Sequence, residues 1–466
     1  MHNYLSVVLV SVLFSISAID LDENLQVETK NGIVQGLREQ TQSGRMFYSF
    51  SGIPFAQPPI GDLRWRSPKP STNWEGVLDA THEGSCCVAP QEDSVKYIQF
   101  IFKGSEDCLY LNIFTPEHPK LVTSLLPVYI FIHGGGYFAG CSSRLLYGPE
   151  NFMEHDVILV TINYRLGVFG FLSTEDLECS GNWGIKDQIL AIKWIKDNIR
   201  SFGGDDGRIT VGGQSSGAAS VNLLLLVPQA RGLFQNAIMQ SGSILCPWSN
   251  QTDSREIAFT LGILMGIETN SSKELMRQLR LVDQKRLTKS IEQFLILQLA
   301  RMPVKGLPFT PVVEQPHEDA ILTNYTYDLL RAGNDFHVPV LAGITNFEIG
   351  YIEILPNLIK QFLITLLNIS PGIMVRNINS LADKYAIGKR IQHFFTGSNH
   401  FSEDNFTVVM QYLNDDEYYW PIQKGLTYIS RKNPVYFYLF SYEGNMGLTG
   451  LESITNITEK VAKGTC

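Results

Sequence analysis

The sequence predicts an α/β fold in which a central, largely parallel sheet is covered by helices on both faces. Three observations point to it. Short continuous apolar runs recur along the chain, segments with helical spacing lie between them, and glycine-rich turns follow two of the runs. Strands that are apolar throughout are buried on both faces, which is the usual situation in parallel sheets.

The individual elements follow from these patterns. The predicted strands are the apolar runs 127–132, 157–162, 209–211, 338–342 and 435–440. Isoleucines recur every three or four positions across residues 185–199, which is the period of an amphipathic helix. A second helix is predicted to begin near Ser216, directly after the strand at 209–211 and its turn.

Length and composition bound the class of protein. The chain has 466 residues, of which 44% are hydrophobic and 18% charged, as expected for a globular protein with a sizeable core. It contains no repeat, low-complexity tract or linker-like segment, so residues 19–466 are predicted to form one domain. The net charge of -9 argues against nucleic acid as a partner. No cofactor and no metal ion are expected.

The N-terminus predicts secretion. In residues 1–18 an apolar run from Leu5 to Ile16 precedes the small residues Ser17 and Ala18, which is typical of a signal peptide; a buried strand is the alternative. No later stretch is long enough to span a bilayer. Six sites for N-glycosylation agree with an extracellular location: Asn250, Asn270, Asn324, Asn368, Asn405 and Asn456.

Seven cysteines in a secreted chain imply at least one thiol outside a disulfide. The shortest candidate bridge joins Cys108 to either Cys86 or Cys87. Sequence spacing does not choose between these two neighbours.

A glycine–serine turn, Gly-Gln-Ser-Ser-Gly, occupies residues 213–217 between a predicted strand and a predicted helix. Such a turn exposes its serine on a strained backbone, and the flanking glycines leave room around it. The helix N-terminus behind the serine favours developing negative charge. Ser215 is therefore the candidate nucleophile of a serine hydrolase, although the motif alone also fits an ordinary turn.

Two further segments fit this chemistry. Residues 133–136, His-Gly-Gly-Gly, follow a predicted strand, and consecutive glycines let several N–H groups point at one oxyanion; a tight turn without a ligand is the alternative. His133 precedes this turn and is expected to be structural. Glu348 follows the predicted strand 338–342 and a polar turn, where an acid can orient an imidazole, although a solvated loop glutamate fits equally.

Together these segments resemble the type-B carboxylesterase family of α/β-hydrolases, from about Val27 to the end of the chain. Residues 202–217, Phe-Gly-Gly-Asp-Asp-Gly-Arg-Ile-Thr-Val-Gly-Gly-Gln-Ser-Ser-Gly, match the family's nucleophile signature. Residues 106–116, Glu-Asp-Cys-Leu-Tyr-Leu-Asn-Ile-Phe-Thr-Pro, match its second signature, and residues 163–167 and 240–242 also look like the family's. The resemblance implies hydrolysis of a small carboxylic ester through a serine acyl-enzyme.

The resemblance also implies roles for single residues. Ser215 is the acylated nucleophile, Glu348 is the acid of the triad, and the N–H groups of Gly135, Gly136 and Ser216 form the oxyanion hole. The implied disulfide and buried ion pairs are Cys87–Cys108, Arg64–Glu106 and Arg165–Asp187. The implied acyl-pocket residues are Trp248, Leu307 and Phe309, for which plain core packing is the alternative.

The chain departs from the family pattern in three places. Gln214 replaces the usual glutamate, as in juvenile hormone esterases of insects, although their usual alanine after the nucleophile is Ser216 here. The segment between Cys87 and Cys108 lacks the tryptophan with which cholinesterases bind the choline ammonium, so cholinesterase activity is not expected. Residues 464–466, Gly-Thr-Cys, look like those just before the family's catalytic histidine.

The third departure concerns the general base, which in hydrolases of this type follows the acid along the chain. After Glu348 only His393 and His400 remain, and neither has a convincing context. We therefore expect the chain to lack the base together with the family's closing strands and helices, and to be poorly active as it stands. The competing hypothesis is a non-catalytic binding or adhesion protein of the same fold; a lipase-like enzyme from another branch is disfavoured by the two signatures.

Overall fold

The computed structural model describes residues 25–89, 104–289, 294, 306–350, 357–374 and 380–442. The predicted signal at residues 1–18, the glycosylation site Asn456 and residues 464–466 lie outside the described residues. None of the helices in the described ranges is long and apolar enough to cross a membrane.

The strands, in chain order, are β1 (Gln26–Thr29), β2 (Gly32–Gln35), β3 (Leu37–Gln40), β4 (Met46–Pro54), β5 (Val77–Asp79), β6 (Tyr110–Thr115), β7 (Leu126–Ile132), β8 (Ile158–Ile162), β9 (Gly204–Gln214), β10 (Asn236–Gln240), β11 (Val340–Thr345) and β12 (Val435–Phe440). The α-helices are α1 (Arg144–Tyr147), α2 (Gly167–Phe171), α3 (Trp183–Asn198), α4 (Ser216–Leu224), α5 (Ser254–Leu264), α6 (Ser272–Leu279), α7 (Thr326–Ala332), α8 (Asn357–Ile369), α9 (Leu381–Thr396), α10 (Phe406–Asn414) and α11 (Trp420–Ile429).

A mixed sheet of nine strands, counted over the described residues, forms the centre of the fold. Its order is β12-β11-β10-β9-β7-β8-β6-β4-β3. The strands β8, β7, β9, β10, β11 and β12 are parallel to one another, whereas β6, β4 and β3 add antiparallel pairs on the far side of β8. The strands β1, β2 and β5 form a separate small sheet. The predicted α/β class with a largely parallel sheet is therefore confirmed.

The central strands are buried because their side chains are apolar on both faces. All five residues of β8 are buried, and in β7 the side chains of Val128, Ile130 and Ile132 are inaccessible to solvent. The helix α3 buries Ile185, Ile192 and Ile195, and α4 packs against β7, β9 and β10. The core therefore lies between the sheet and two predicted helices: α3, which the isoleucine spacing indicated, and α4, which was expected after the turn at Ser215.

The boundaries of several elements differ from the sequence prediction. The run 209–211 is part of the longer strand β9, because this strand pairs with β7 on one side and with β10 on the other. The predicted strand 338–342 begins later, at Val340, since Pro339 has no N–H for a sheet ladder. The run 435–440 coincides with β12.

Two adjacent cysteines, Cys86 and Cys87, belong to two different disulfides. Cys87 is bonded to Cys108, with 4.9 Å between their Cα atoms, and Cys86 is bonded to Cys141. The Cys87–Cys108 bridge that the resemblance implied is confirmed, and the alternative of Cys86 bonded to Cys108 is wrong because Cys86 is bonded to Cys141. The Cys86–Cys141 bridge was not predicted. Cys179 and Cys246 are buried and are not disulfide-bonded.

Buried ion pairs tie the loops to the core. Arg64 Nε lies 2.6 Å from Glu106 Oε2, and a guanidinium nitrogen of Arg165 lies 2.6 Å from Asp187 Oδ1. The sequence did not predict the third pair, in which Lys186 Nζ lies 2.7 Å from the buried Glu314 carboxylate. Buried charges need such partners because an unpaired ion is costly away from water.

Candidate active site

The site lies at one edge of the sheet because four neighbouring parallel strands end there. Ile132 at the end of β7 is paired with Gly213 of β9, and Gln214 of β9 is paired with Gln240 of β10. Gln240 is paired in turn with Gly343 of β11. The segments that follow these strands therefore emerge side by side, as at the carboxyl edge of other open α/β sheets.

Ser215 occupies the sharp turn between β9 and α4. Its backbone has φ 57° and ψ -121°, which a non-glycine residue adopts only under strain. The turn is held at both ends: the N–H of Ser215 donates to Gln240 O at 2.8 Å, and Ser215 O accepts from Ala219 N at 3.0 Å. The strained strand-to-helix turn that the sequence predicted is thus present at Ser215. We call this turn the elbow. Ser215 itself is half-buried.

The glycines on either side of Ser215 are required by space. A Cβ on Gly213 would lie 2.5 Å from the carbonyl carbon of Gly217, and a Cβ on Gly217 would lie 2.1 Å from Ile132 O. Both distances are far below van der Waals contact. The elbow therefore tolerates no side chain at these two positions while β7 and α4 stay in place.

The glycine loop after β7 runs beside the nucleophile. A Cβ on Gly134 would lie 3.1 Å from the Cβ of Ser215, and both Gly135 (φ 113°) and Gly136 (φ 62°) have a left-handed backbone. Gly135 O accepts from Phe138 N and Ala139 N at 3.1 and 3.0 Å, which fixes the turn. Across the described ranges, the N–H groups of Gly135 and Gly136 have no protein acceptor.

The third N–H group that the sequence resemblance implied is that of Ser216. It is the first residue of α4, and the first N–H groups of a helix have no partner inside the helix. The positive end of the helix dipole adds to this donor. The three donors thus flank the Ser215 turn from β7 on one side and from α4 on the other.

Glu348 is buried, with 8% of its surface exposed, and is therefore not a solvated loop residue. Its Oε1 accepts from Thr345 N at 2.7 Å, and its own N–H donates to Asn414 Oδ1 at 2.9 Å. Burial raises the pKa of the Glu348 carboxyl, and hydrogen bonds with Ser241 and Thr345 offset part of that rise. An imidazolium beside this carboxylate would be stabilised strongly in such a poorly solvated place.

The histidines considered from the sequence are not placed as bases for Ser215. His133 is buried, its Nδ1–H donates to Gly134 O at 2.8 Å, and its ring stacks on Tyr164 with 4.5 Å between centroids. Burial lowers the pKa of His133 to about 4. His393, in the last turn of α9, and His400, in the next loop, are exposed. In the part of the chain that the structure describes, none of these rings is hydrogen-bonded to Ser215 or Glu348: Ser215 is bonded to Gln240 and Ala219, and Glu348 to Ser241, Thr345 and Asn414.

The three predicted acyl-pocket residues have different surroundings. A Cβ on Gly136 would lie 3.1 Å from Leu307 Cδ1, so Leu307 packs against the glycine loop. Trp248 is buried and its Nε1 donates to Glu417 O at 3.1 Å. Phe309 packs on Phe294, with 5.5 Å between ring centroids, which is core packing. Only Leu307 is thus placed directly against the oxyanion segment.

Two residues near Glu348 had no assigned role in the sequence analysis. Ser241, which hydrogen-bonds with Glu348, belongs to the segment 240–242 that looked like the family's, so a signal existed. Asn414 ends α10, just before a π-helical turn at Asp415–Tyr419. Nothing in the local sequence marks Asn414, because its partner is distant along the chain.

Comparison with known proteins agrees with this geometry. The chain matches the family described as "Carboxylesterase family" over residues 23–464. It is 36% identical to Esterase E4 of Myzus persicae over 439 residues, which cover 90% of this chain and 75% of that protein. It is 34% identical to Juvenile hormone esterase of Tribolium castaneum over 436 residues, which cover 90% and 72%.

Among solved structures, the crystal structure of juvenile hormone esterase from Manduca sexta, with OTFP covalently attached, superposes with a TM-score of 0.81. The two chains are 28% identical, and the match covers 94% of this chain and 81% of the other. The α/β-hydrolase fold and the resemblance inferred from the two signatures are confirmed. The chain belongs to the carboxylesterase family, whose members are carboxylic ester hydrolases.

Proposed function

We propose that this protein cleaves small carboxylic esters through an acyl intermediate on Ser215, with Glu348 as the acid of the triad. The single observation that carries the proposal is the strained backbone of Ser215, held at φ 57° beside the glycine loop. Such strain persists only where the surrounding structure enforces it, and it is typical of a nucleophile elbow. A binding module has no need for it, so the non-catalytic alternative is not favoured.

In this mechanism the Ser215 hydroxyl attacks the ester carbonyl, and the charge that develops on the carbonyl oxygen is stabilised by N–H groups of Gly135, Gly136 and Ser216. The alcohol leaves, and water then releases the acid from Ser215. Both steps need a base that accepts a proton and returns it to the leaving group. Glu348 would hold such an imidazole in its tautomer and stabilise its charged form.

The base is proposed to be a histidine other than His133, His393 and His400. This part of the proposal is supported by the burial and low pKa of His133 and by the exposure of the other two. We use the term extended form for the chain followed by a histidine and the C-terminal elements of a family relative.

Secretion is proposed on the signal-like residues 1–18 and the glycosylation sites. Among the described sites, Asn270, Asn324 and Asn405 are exposed. The two disulfides agree with an oxidising compartment. The substrate is proposed to be a small ester that enters between the glycine loop and the segment of Leu307.

The decisive experiment replaces Ser215 by alanine in the extended form and measures hydrolysis of a short-chain aryl ester. Loss of the nucleophile is expected to lower kcat by about four to six powers of ten, because members of a triad act as a unit. Thermal melting shows whether the variant is folded. A folded Ser215→Ala variant that keeps its turnover would show that another residue is acylated.

A further inference from the structure

The glycine loop of residues 134–140, here called the oxyanion loop, has its first and last residues in contact with each other. A Cβ on Gly140 would lie 2.5 Å from Gly134 O and 2.3 Å from His133 Nδ1, so these backbones are in close contact. The middle of the loop is held by Tyr137, which is buried against Phe171 and whose carbonyl oxygen accepts from Gly167 N at 2.7 Å. The glycines before and after it bring no side chains, so their positions depend also on what holds the two ends. The first end is strand β7, and the second end is Cys141.

Ser142 O at the second end accepts from Asn112 Nδ2 and Thr161 Oγ1, both at 3.1 Å, and two further links join this end to residues 85 and 86. Cys141 is bonded to Cys86, and both side chains are buried. Beside the disulfide, Asn163 joins the next residues of the same two segments: its Oδ1 accepts from Ser142 N at 2.9 Å and its Nδ2 donates to Ser85 O at 3.0 Å. One link is covalent and the other is polar.

Both links lead to the main sheet. Cys87, next to Cys86, is bonded to Cys108, which lies two residues before β6. Asn163 follows directly after β8, and its N–H donates to Tyr110 O at the start of β6. The end of the oxyanion loop is therefore fastened to the adjacent strands β6 and β8, while its beginning is fastened to β7.

We propose that the Cys86–Cys141 disulfide and the Asn163 carboxamide are redundant positioning elements of the oxyanion hole. The inference rests on the proposed function, since it concerns where the N–H groups of Gly135 and Gly136 lie. Oxyanion donors act only within a narrow distance range, and displacement by about 1 Å costs on the order of 100-fold in rate. Either link alone keeps the loop end against residues 85 and 86, whereas loss of both leaves that end held only by the bonds from Asn112 and Thr161 to Ser142 O, and the N–H groups of Gly135 and Gly136 can then shift.

The test uses phenylboronic acid with residues 1–466, because its binding at equilibrium needs no turnover. Ser215 Oγ forms a bond to boron, the hydroxyl proton goes to solvent, and the boron becomes a tetrahedral anion with one oxygen at the oxyanion position. The variants are Cys86→Ser/Cys141→Ser, Asn163→Ala and their combination. The matched control is Cys87→Ser/Cys108→Ser, which removes the neighbouring bridge but leaves Cys86–Cys141 and Asn163 in place, while Ser105 N still donates to Cys86 O at 2.9 Å. Ser215→Ala defines specific binding.

We expect each of the first two variants to weaken boronate binding about threefold and their combination about 100-fold, more than the product, because neighbouring links compensate for each other. The control changes the affinity less than about twofold, although the loss of any native disulfide lowers the melting temperature. Hydrogen exchange of a peptide spanning residues 133–142 rises in the combined variant only. A merely structural role would lower all melting temperatures and leave the affinities equal.

The outcomes separate the two proposals. Binding to the unsubstituted chain that Ser215→Ala does not abolish shows that the proposed function is wrong, and the inference falls with it. Ser215-dependent binding that the folded combined variant retains overturns the inference alone. If the combined variant does not fold, Asn163→Asp replaces Asn163→Ala, because it retains the acceptor for Ser142 N–H. In the variant that combines Asn163→Asp with removal of the Cys86–Cys141 disulfide, the boronate affinity is then expected to fall about tenfold. An unchanged affinity refutes the inference.

Discussion

The backbone N–H of Glu348 donates a hydrogen bond of 2.9 Å to Asn414 Oδ1, across 66 residues of sequence. Asn414 is the last residue of α10, and the π-helical turn that follows it holds Trp248 through Glu417 O. One helix junction thus fixes both the candidate acid and a candidate acyl-pocket residue. π-Helical turns are frequent at functional sites, where they redirect the residues around them.

Replacing Asn414 by alanine in the extended form is expected to lower kcat about tenfold, because a buried N–H without an acceptor costs about 1–3 kcal/mol and lets the Glu348 turn shift. KM should change little, since Asn414 does not face the ester. Steady-state kinetics with an aryl ester measures both. Asn414→Asp, which keeps an acceptor oxygen, should retain most of kcat; equal losses in the two variants would argue against a positioning role.

His133 predicts a specific acid sensitivity. Its pKa is lowered from 6.5 to about 4 by burial, so the folded state prefers the neutral ring. This stabilising contribution is complete above the unfolded pKa of 6.5 and is lost as the pH falls towards 4. Between about pH 7 and pH 4.5 the chain should lose on the order of 3 kcal/mol of unfolding free energy more than His133→Gln does. Denaturant unfolding at both pH values checks this; equal losses would contradict a buried neutral histidine.

The five described glycosylation sites are expected to fall into two groups. Asn270, Asn324 and Asn405 are exposed and should carry glycans. Asn250 and Asn368 are half-buried, and each donates its Nδ2–H, the atom that would carry the sugar, to a backbone oxygen at 2.8 Å. Mass spectrometry of the protein from insect cells, after glycosidase treatment in labelled water, measures occupancy at each site. Full occupancy at Asn250 would show that this hydrogen bond does not compete with glycosylation.

If the histidine of the extended form is the base, residues 1–466 are expected to hydrolyse aryl esters at least 100-fold more slowly than the extended form, since the hydrogen bonds of Ser215 in the described residues are with Gln240 and Ala219 and not with a histidine. Oxyanion stabilisation and binding still leave a residual rate, on the order of 10³-fold over water. The comparison of kcat/KM in the two proteins is the measurement. Comparable values would mean that another residue serves as base; His393→Gln and His400→Gln would then identify it.

The parts of the site that follow from local sequence were the ones predicted well. The turn at Ser215 is dictated by glycines 213 and 217 and by the strand and helix that flank them, all within a short segment. The three glycines of residues 134–136 likewise predicted the turn that follows β7, where Gly135 and Gly136 have a left-handed backbone. The fold class followed from apolar runs because central parallel strands must be apolar on both faces.

The parts that depend on distant contacts were not predictable in the same way. Asn414 contacts Glu348 only because α10 packs beside the turn after β11, and no local pattern records that packing. The Cys86–Cys141 bridge likewise joins two segments that the sheet brings together.

The order of the strands also has a consequence for the growing polypeptide. The neighbours that shape the Ser215 turn are β7 and β10, and both are synthesised before β11. A nascent chain that has emerged as far as β10 therefore has every strand that the nucleophile needs, yet Glu348 has not been made. If Glu348 is the acid of the triad as proposed, ester cleavage must wait until β11 and the residues that follow it have been added beside β10.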